Sequence, residues 1–375
     1  MKILIVLGAF LPVPPKQGGA VEKLWFAVAK ELTQMGHDVT LISKQFPGFS
    51  NQEIDKNGIQ HIRVKGFETP KSLAILKLLD LVYTWRALPH ISRDFDVIIS
   101  NTFWLPILVR GKKGRKLVVD VARTPRWQVK LYTHVGLLRA NSTPVANQLR
   151  VLIPVSFHNK VIQLPNPLPH VGVEVDWEKK EKRVLYVGRV HREKGVELLI
   201  KAFCSSNELE DWSLDIVGPY EVSDGGSGKS YLDELKEVSK ENHRISFVGS
   251  IYNAAELQSI YLRSSVFVYP SLAEKGETFG LAPLEAMSFG CVPIVSDLAC
   301  FHDFITQGVN GHIFNHRGEK SYMQLQEVLE NVCKEKDILM RTREQALCVN
   351  VSHSTSVITK QFLEHFEKLQ KIQSK

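Results

Sequence analysis

The stretch Val184-Leu185-Tyr186-Val187-Gly188-Arg189-Val190-His191-Arg192-Glu193-Lys194-Gly195-Val196-Glu197-Leu198-Leu199-Ile200 decides the fold. Four consecutive apolar residues, too short a run for a helix, lead into a polar loop bounded by glycines and then into apolar residues at helical spacing. That is strand, loop, helix. The rhythm continues downstream. Strands are predicted at 214–217, 245–248, 266–269 and 292–295, and helices at 231–238, 256–262 and 283–289. Strands alternating with helices imply a parallel sheet covered on both faces.

Upstream the same unit recurs in weaker form. Ile3-Leu4-Ile5-Val6-Leu7 predicts a strand, Leu11 to Gly19 a loop, and Ala20 to about Met35 a helix with Val21, Leu24, Trp25, Val28 and Leu32 at helical spacing. Gly36 is a fitting C-terminal stop, and Asp38-Val39-Thr40-Leu41-Ile42 a second strand. Further strands are expected at 61–64, 96–99, 116–121 and 161–164, with a helix at 71–88. The run Leu164-Pro165-Asn166-Pro167-Leu168-Pro169 can continue neither a helix nor a central strand, and a charged segment, 178–183, follows it. The expected organisation is therefore a first domain over 1–168, a second over 182–350, and a terminal amphipathic helix within 354–375 that packs back on the first. A length of 375 residues agrees with two domains.

Composition narrows the class. Hydrophobic residues at 44 %, charged residues at 23 %, 24 Gly and 17 Pro exclude collagen-like, disordered and disulfide-scaffold chains. Cys204, Cys291, Cys300, Cys333 and Cys348 fit neither a Cys-x-x-Cys pair nor a zinc spacing, and read as buried thiols in a reducing compartment. No run approaches the roughly 18 apolar residues of a membrane span. The opening apolar run meets Pro12, Pro14 and Pro15 too soon for a signal peptide. The expected location is cytoplasmic, with peripheral attachment to the inner face of the membrane as the one alternative. The net charge of +7 conceals an asymmetry: residues 1–170 hold 23 Lys+Arg against 10 Asp+Glu, and residues 171–375 hold 24 against 30.

Two loops carry chemistry. Gly188 to Gly195 follows a strand and opens a helix, so its amides and the helix start form an anion site to which Arg189 and Lys194 add cations. Downstream, Glu277-Thr278-Phe279-Gly280-Leu281-Ala282-Pro283-Leu284-Glu285 sets two carboxylates around a helix start. The backbone amides there suit a phosphate, and acceptor-only carboxylates suit vicinal hydroxyls. Asp224-Gly225-Gly226-Ser227-Gly228-Lys229-Ser230 ends like a phosphate-binding P-loop but has Ser223 where that pattern needs its first Gly, and reads as a flexible loop. The run Arg110, Lys112, Lys113, Arg115, Lys116, with Arg123 behind it, marks the basic half as a contact for an anionic acceptor or anionic lipid headgroups. No nucleic-acid module is present.

The motifs Phe247-Val248-Gly249, Val268-Tyr269-Pro270-Ser271, Glu277-Thr278-Phe279-Gly280-Leu281, Leu284-Glu285-Ala286-Met287, Pro293-Ile294-Val295 and Gly308-Val309-Asn310-Gly311 resemble the donor domain of family 4 retaining glycosyltransferases. Gly188-Arg189, Lys194-Gly195, Val217-Gly218 and the first-half Gly18-Gly19-Ala20-Val21-Glu22 fit the same family in order and spacing. The resemblance implies a GT-B fold, two doubly wound Rossmann-like α/β domains facing a central cleft. It also implies a retaining, metal-independent transfer of a sugar from a nucleotide-diphosphate sugar, UDP-linked, to a glycan or glycolipid acceptor. By position, Arg189 and Lys194 hold the diphosphate, Glu277 contacts the donor sugar and Glu285 the ribose. Gly188, Phe279, Gly280 and Leu281 line the donor, and Gly18 and Gly19 let the first-domain loop approach it. No cofactor beyond the nucleotide sugar is implied. Two positions depart from the family, which often has His where this chain has Asn101 and Ala122-Arg123. A GT-B protein that binds sugar nucleotides without turnover, or an epimerase or phosphorylase on the same fold, is the alternative.

Overall fold

The first apolar run becomes β1 (Lys2–Val6), whose residues Ile3 to Val6 are buried, as a strand covered on both faces requires. In the computed structural model, which describes residues 1–15, 19–170, 172–240 and 242–373, β1 lies inside an eight-stranded sheet. Its partners are β2 (Asp38–Lys44), β3 (Gln52–Ile54), β4 (Gln60–Val64), β5 (Val97–Ser100), β6 (Leu117–Val121), β7 (Leu137–Ala140) and β8 (Val161–Gln163). The order is β3-β4-β2-β1-β5-β6-β7-β8, and every pair is parallel except the edge pair β3–β4. The chain reverses direction across the sheet between β1 and β5, so the loops after these strands diverge there.

The helix Ala20–Gln34 lays Leu24, Trp25, Val28 and Leu32 on one face of this sheet. The terminal helix Thr355–Gln373 joins the same layer through Ile358, Phe362, Phe366 and Leu369, with the Trp25 and Phe362 ring centroids 5.2 Å apart. Accordingly the chain divides into one unit of Met1–His170 with His353–Lys375 and a second of Val171–Ser352.

The strand β7 was not legible in the apolar pattern because Arg139 interrupts it. In the fold Arg139 is fully buried and donates to Asp120 Oδ1 at 2.7 Å and to Asn166 Oδ1 at 2.8 Å, while the Trp25 indole donates to Asp120 Oδ2 at 2.8 Å. A charge inside a sheet is tolerated when it is paired and hydrogen-bonded in this way.

The second sheet has six strands, β9 (Glu181–Val187), β10 (Ser213–Val217), β11 (Ile245–Gly249), β12 (Ser264–Tyr269), β13 (Val292–Ser296) and β14 (His312–Phe314). All pairs are parallel, in the order β11-β10-β9-β12-β13-β14. This is the doubly wound order with its switch point between β9 and β12. The charged segment 178–183 does not hang free. Lys180 Nζ donates to the carbonyls of Tyr261 (3.1 Å), Ser264 (2.6 Å) and Phe289 (2.7 Å), and burial pulls its pKa down. The expectation of five buried thiols needs correction: all five are free, Cys291 and Cys300 are buried, but Cys348 is exposed.

Candidate active site

The strands β9 and β12 are neighbours, so the loops leaving their carboxyl ends are brought together at the switch point of the second sheet. After β9 the chain runs through Gly188 to a 3₁₀ turn, Arg192–Lys194, and then to Gly195 at φ 68°. A Cβ on Gly195 would lie 2.0 Å from the carbonyl oxygen of Pro270, so only glycine lets the two loops touch. The contact is reinforced where the Leu272 N–H donates to the Glu193 carbonyl at 2.7 Å. The helix Val196–Cys204 starts immediately beyond.

That geometry delivers Lys194 to Glu277. The ammonium stands 2.6 Å from Oε2, with the two side chains 9 % and 11 % exposed. The Tyr269 ring lies beneath, 5.3 Å from the Lys194 nitrogen, and its hydroxyl hydrogen-bonds Glu277. Burial, and then the Glu277 charge, push the Tyr269 hydroxyl pKa well up, so it remains a donor. Tyr186 stacks on Tyr269 at 5.9 Å and donates to the Arg189 carbonyl at 2.8 Å, fixing the start of the β9 loop. The two tyrosines were not among the expected site residues. In the sequence each is an aromatic residue near the end of an apolar strand, and Tyr269 also falls in the Val268-Tyr269-Pro270-Ser271 motif.

Arg189 is held differently. Its guanidinium donates to Glu193 Oε1 at 3.0 Å and to the carbonyl of Gly225 at 2.8 Å. The Gly/Ser loop that imitated a P-loop therefore supports Arg189. It is further tied to the β9 loop by the Ser227 N–H to the Val190 carbonyl, 3.0 Å, and the Arg192 N–H to Ser227 Oγ, 3.1 Å.

Glu274, three residues before Glu277, is taken up elsewhere. It accepts from His316 Nε2 at 3.0 Å and from Arg317 Nε at 2.8 Å, and Arg317 reaches on to Asp297 at 3.0 Å. These partners hold the Glu274 carboxyl below the usual range, and the loop is thereby pinned to the segment after β14. Of the two carboxylates, Glu277 is the one turned to Lys194.

The helix Leu281–Ser288 begins at Gly280, φ 88°, where a Cβ would strike the Phe301 ring at 2.3 Å. Phe279 is buried against Phe304, ring centroids 5.5 Å apart, so its side chain is core and only its backbone is offered to a ligand. Glu285 on this helix accepts from the Tyr261 hydroxyl at 3.5 Å. The second unit thus holds Gly188, Arg189, Lys194, Glu277, Phe279, Gly280, Leu281 and Glu285 around one sheet end. Gly19 caps the helix Ala20–Gln34 in the first unit, and Gly18 lies outside the described residues. Of the basic residues, Lys113 and Lys116 are anchored to the carbonyls of Ile91, Arg93 and Phe95, whereas Arg123 is exposed and acts electrostatically on Glu22. Among the described residues no three His, Cys, Asp or Glu side chains gather as a metal site, and no helix is long and apolar enough to cross a membrane.

Residues 173–347 match the model of the glycosyl transferases group 1 family. An uncharacterized glycosyltransferase of Methanocaldococcus jannaschii is 33% identical over 141 residues, 38% of this chain and 33% of that protein. The lipopolysaccharide core biosynthesis mannosyltransferase LpsB of Rhizobium meliloti is 28% identical over 66% of this chain and 72% of its own length. A lipopolysaccharide 1,2-N-acetylglucosaminetransferase of Salmonella typhimurium is 22% identical over 83% and 84%. Thus the chain spans a third of the first of these relatives and most of the other two. Among solved structures, HepE of Anabaena in complex with UDP superposes with a TM-score of 0.71 at 15% identity, covering 98% of this chain and 100% of that one. Sucrose-phosphate synthase of Thermosynechococcus elongatus gives 0.75 at 16% identity over 99% of each chain. The β9–β12 switch point lies inside the segment that matches the glycosyl transferases group 1 model, and the chain as a whole has the GT-B fold class of two Rossmann-like α/β domains.

Proposed function

We propose that the protein is a retaining, family 4-type enzyme that moves a sugar from a UDP-linked donor to a glycan or lipid-linked acceptor on the cytoplasmic side, in assembly of a cell-envelope glycan. The observation that carries this reading is the Lys194–Glu277 pair at the switch point of the second sheet, beside a glycine-started helix. A cation and a carboxylate side by side match a ligand with a diphosphate at one end and hydroxyls at the other. The relatives named for lipopolysaccharide assembly, and the UDP bound to HepE, point in the same direction.

In this reading Lys194 and Arg189 take the diphosphate, and the amides of Gly280 and Leu281 share its charge. Glu277 then accepts from the sugar hydroxyls and Glu285 from the ribose. As the bond from the anomeric carbon to the phosphate oxygen breaks, charge builds on the leaving diphosphate, where preorganised cations and N–H dipoles lower the barrier. A phosphate oxygen of the donor takes the proton of the acceptor hydroxyl, whose oxygen bonds to the anomeric carbon on the face just vacated. No protein base is required for that step.

The reading is tested by thermal shift against UDP, GDP and ADP, followed by donor hydrolysis. UDP should raise the melting temperature of the wild type and leave Lys194→Ala nearly unmoved. If no nucleoside diphosphate stabilises the wild-type protein at about millimolar concentration, the site is not a donor site.

A further inference from the structure

The helix Leu73–Ala87 has its polarity reversed. Its buried residues are Asp80, Tyr83, Thr84 and Ala87. On the outward side stand Ile75, Leu78 and Trp85, 50 %, 60 % and 67 % exposed, with half-buried Val82 between them. Positions 75, 78, 82 and 85 fall on one stripe at three- and four-residue spacing, where a helix bordering water carries its polar residues.

This orientation is held by specific bonds. The Asp80 carboxylate accepts the N–H groups of Phe103 (3.1 Å) and Trp104 (3.4 Å). The Trp104 indole donates to the Lys77 carbonyl at 2.6 Å, and Lys77 Nζ lies over the Phe103 ring at 4.8 Å. A rotation of the helix that hid the apolar stripe would break all of these.

The charge in this part of the chain is predominantly positive. Residues 69–135 contain twelve Lys and Arg, four Asp and no Glu, and two of the four, Asp80 and Asp120, are buried. Lys113 donates to the Ile91 carbonyl at 2.5 Å, and Lys116 to those of Arg93 (3.0 Å) and Phe95 (2.8 Å). The basic turn at 110–116 therefore packs against the chain that continues from this helix.

We propose that this face of the first unit docks on an anionic phospholipid bilayer, with Ile75, Leu78 and Trp85 entering the boundary between headgroups and acyl chains while the surrounding cations meet the lipid phosphates. An interfacial helix has this composition, an apolar face with Trp and a Lys/Arg border. Fifteen residues are too few to span, so the helix lies in the membrane plane. A second copy is the poorer occupant, because a self-complementary contact across this stripe would set cations against cations. An acidic protein accounts for the charge but not for the apolar stripe. The inference stands on the first unit alone and does not depend on the donor chemistry.

The test is flotation of the full chain with vesicles of phosphatidylcholine alone and with roughly 30 % phosphatidylglycerol. The expected result is co-flotation with the anionic vesicles at about 50 mM NaCl, at least tenfold weaker at about 500 mM. Leu78→Glu with Trp85→Glu should abolish flotation with no loss of melting temperature, since both side chains point outward. Val151→Glu, an exposed apolar residue off the stripe, should float as the wild type. Failure of the wild type to float on anionic vesicles, or equal flotation of the double variant, overturns the proposal. So does light scattering that shows a wild-type dimer turned into a monomer by the same double variant without any vesicle binding, which would assign the stripe to self-association. UDP binding, read separately, belongs to the second unit and is unaffected by either result.

Discussion

Lys194 and Glu277, 83 residues apart in sequence, meet at 2.6 Å with about a tenth of each side chain exposed. Each neutralises the other in a poorly solvated spot, so removing one strands its partner. Lys194→Ala and Glu277→Ala should each lower stability by about 1–3 kcal/mol, less than for a fully buried pair. They should differ in function. Loss of the cation should cost UDP affinity, while loss of the carboxylate should leave UDP affinity largely intact and cut donor turnover by about two orders of magnitude. Titration calorimetry with UDP beside donor-hydrolysis rates makes the comparison. Equal UDP affinities for wild type and Lys194→Ala would remove Lys194 from the diphosphate role.

Gly195→Ala puts a side chain at φ 68° and 2.0 Å from the Pro270 carbonyl oxygen. The backbone term alone is about 1–2 kcal/mol, and the clash adds to it by separating the two loops. A fall in melting temperature accompanied by loss of the UDP-induced shift is expected. A stable variant that still binds UDP normally would show that the loop contact does not shape the site.

Arg317→Ala releases Glu274 and Asp297 on the surface, so stability should change by less than about 1 kcal/mol. The loop that bears Glu277 loses an anchor, and the expected signature is a raised KM for the donor with kcat less affected. Steady-state kinetics distinguishes this from a general loss of activity.

Asp120 and Arg139 form a fully buried pair that also holds Trp25 and Asn166. Asp120→Ala leaves a charge uncompensated in the first unit and should cost about 3–5 kcal/mol in urea unfolding. UDP binding in the second unit supplies the contrast: while the protein is folded, it should persist.

Burial raises the Asp80 carboxyl to about 6 and lowers His353 to about 4. For Asp80 the folded form holds the proton more tightly. Its contribution is therefore full below the unfolded value of about 4 and is lost as pH rises through about 6, roughly 3 kcal/mol in all. For His353 the sign reverses, with stability present above about 6.5 and lost as pH falls towards 4. Asp80→Asn should therefore gain on the wild type between pH 4 and pH 7, and His353→Gln should gain as pH drops over the same range. Melting curves across that range test both signs.

Local pattern determined much of this protein. Apolar runs of four or five residues separated by helical periodicity define a doubly wound α/β chain, because a strand buried on both faces has nothing but apolar neighbours to meet. The glycines at 195 and 280 and the charged residues beside them marked the proposed donor loops for the same local reason, since a strand end, a turn and a helix start are contiguous in the chain. What depends on non-local pairing was hidden. The strand around Arg139 is apolar only once Asp120 neutralises it. Glu277 stands out in the sequence by its spacing to Glu285, but only the fold shows Arg317 and His316 holding Glu274 while Lys194 meets Glu277. Tyr186 and Tyr269 are ordinary strand aromatics until β9 and β12 become neighbours. The helix Leu73–Ala87 reads from sequence as an apolar helix, and only its packing, which turns Asp80 and Thr84 inward, shows that Leu78 and Trp85 face out. Sequence spacing specifies which side chains share one face of an element, but the direction in which that face points is decided by the bonds the element makes to the rest of the fold.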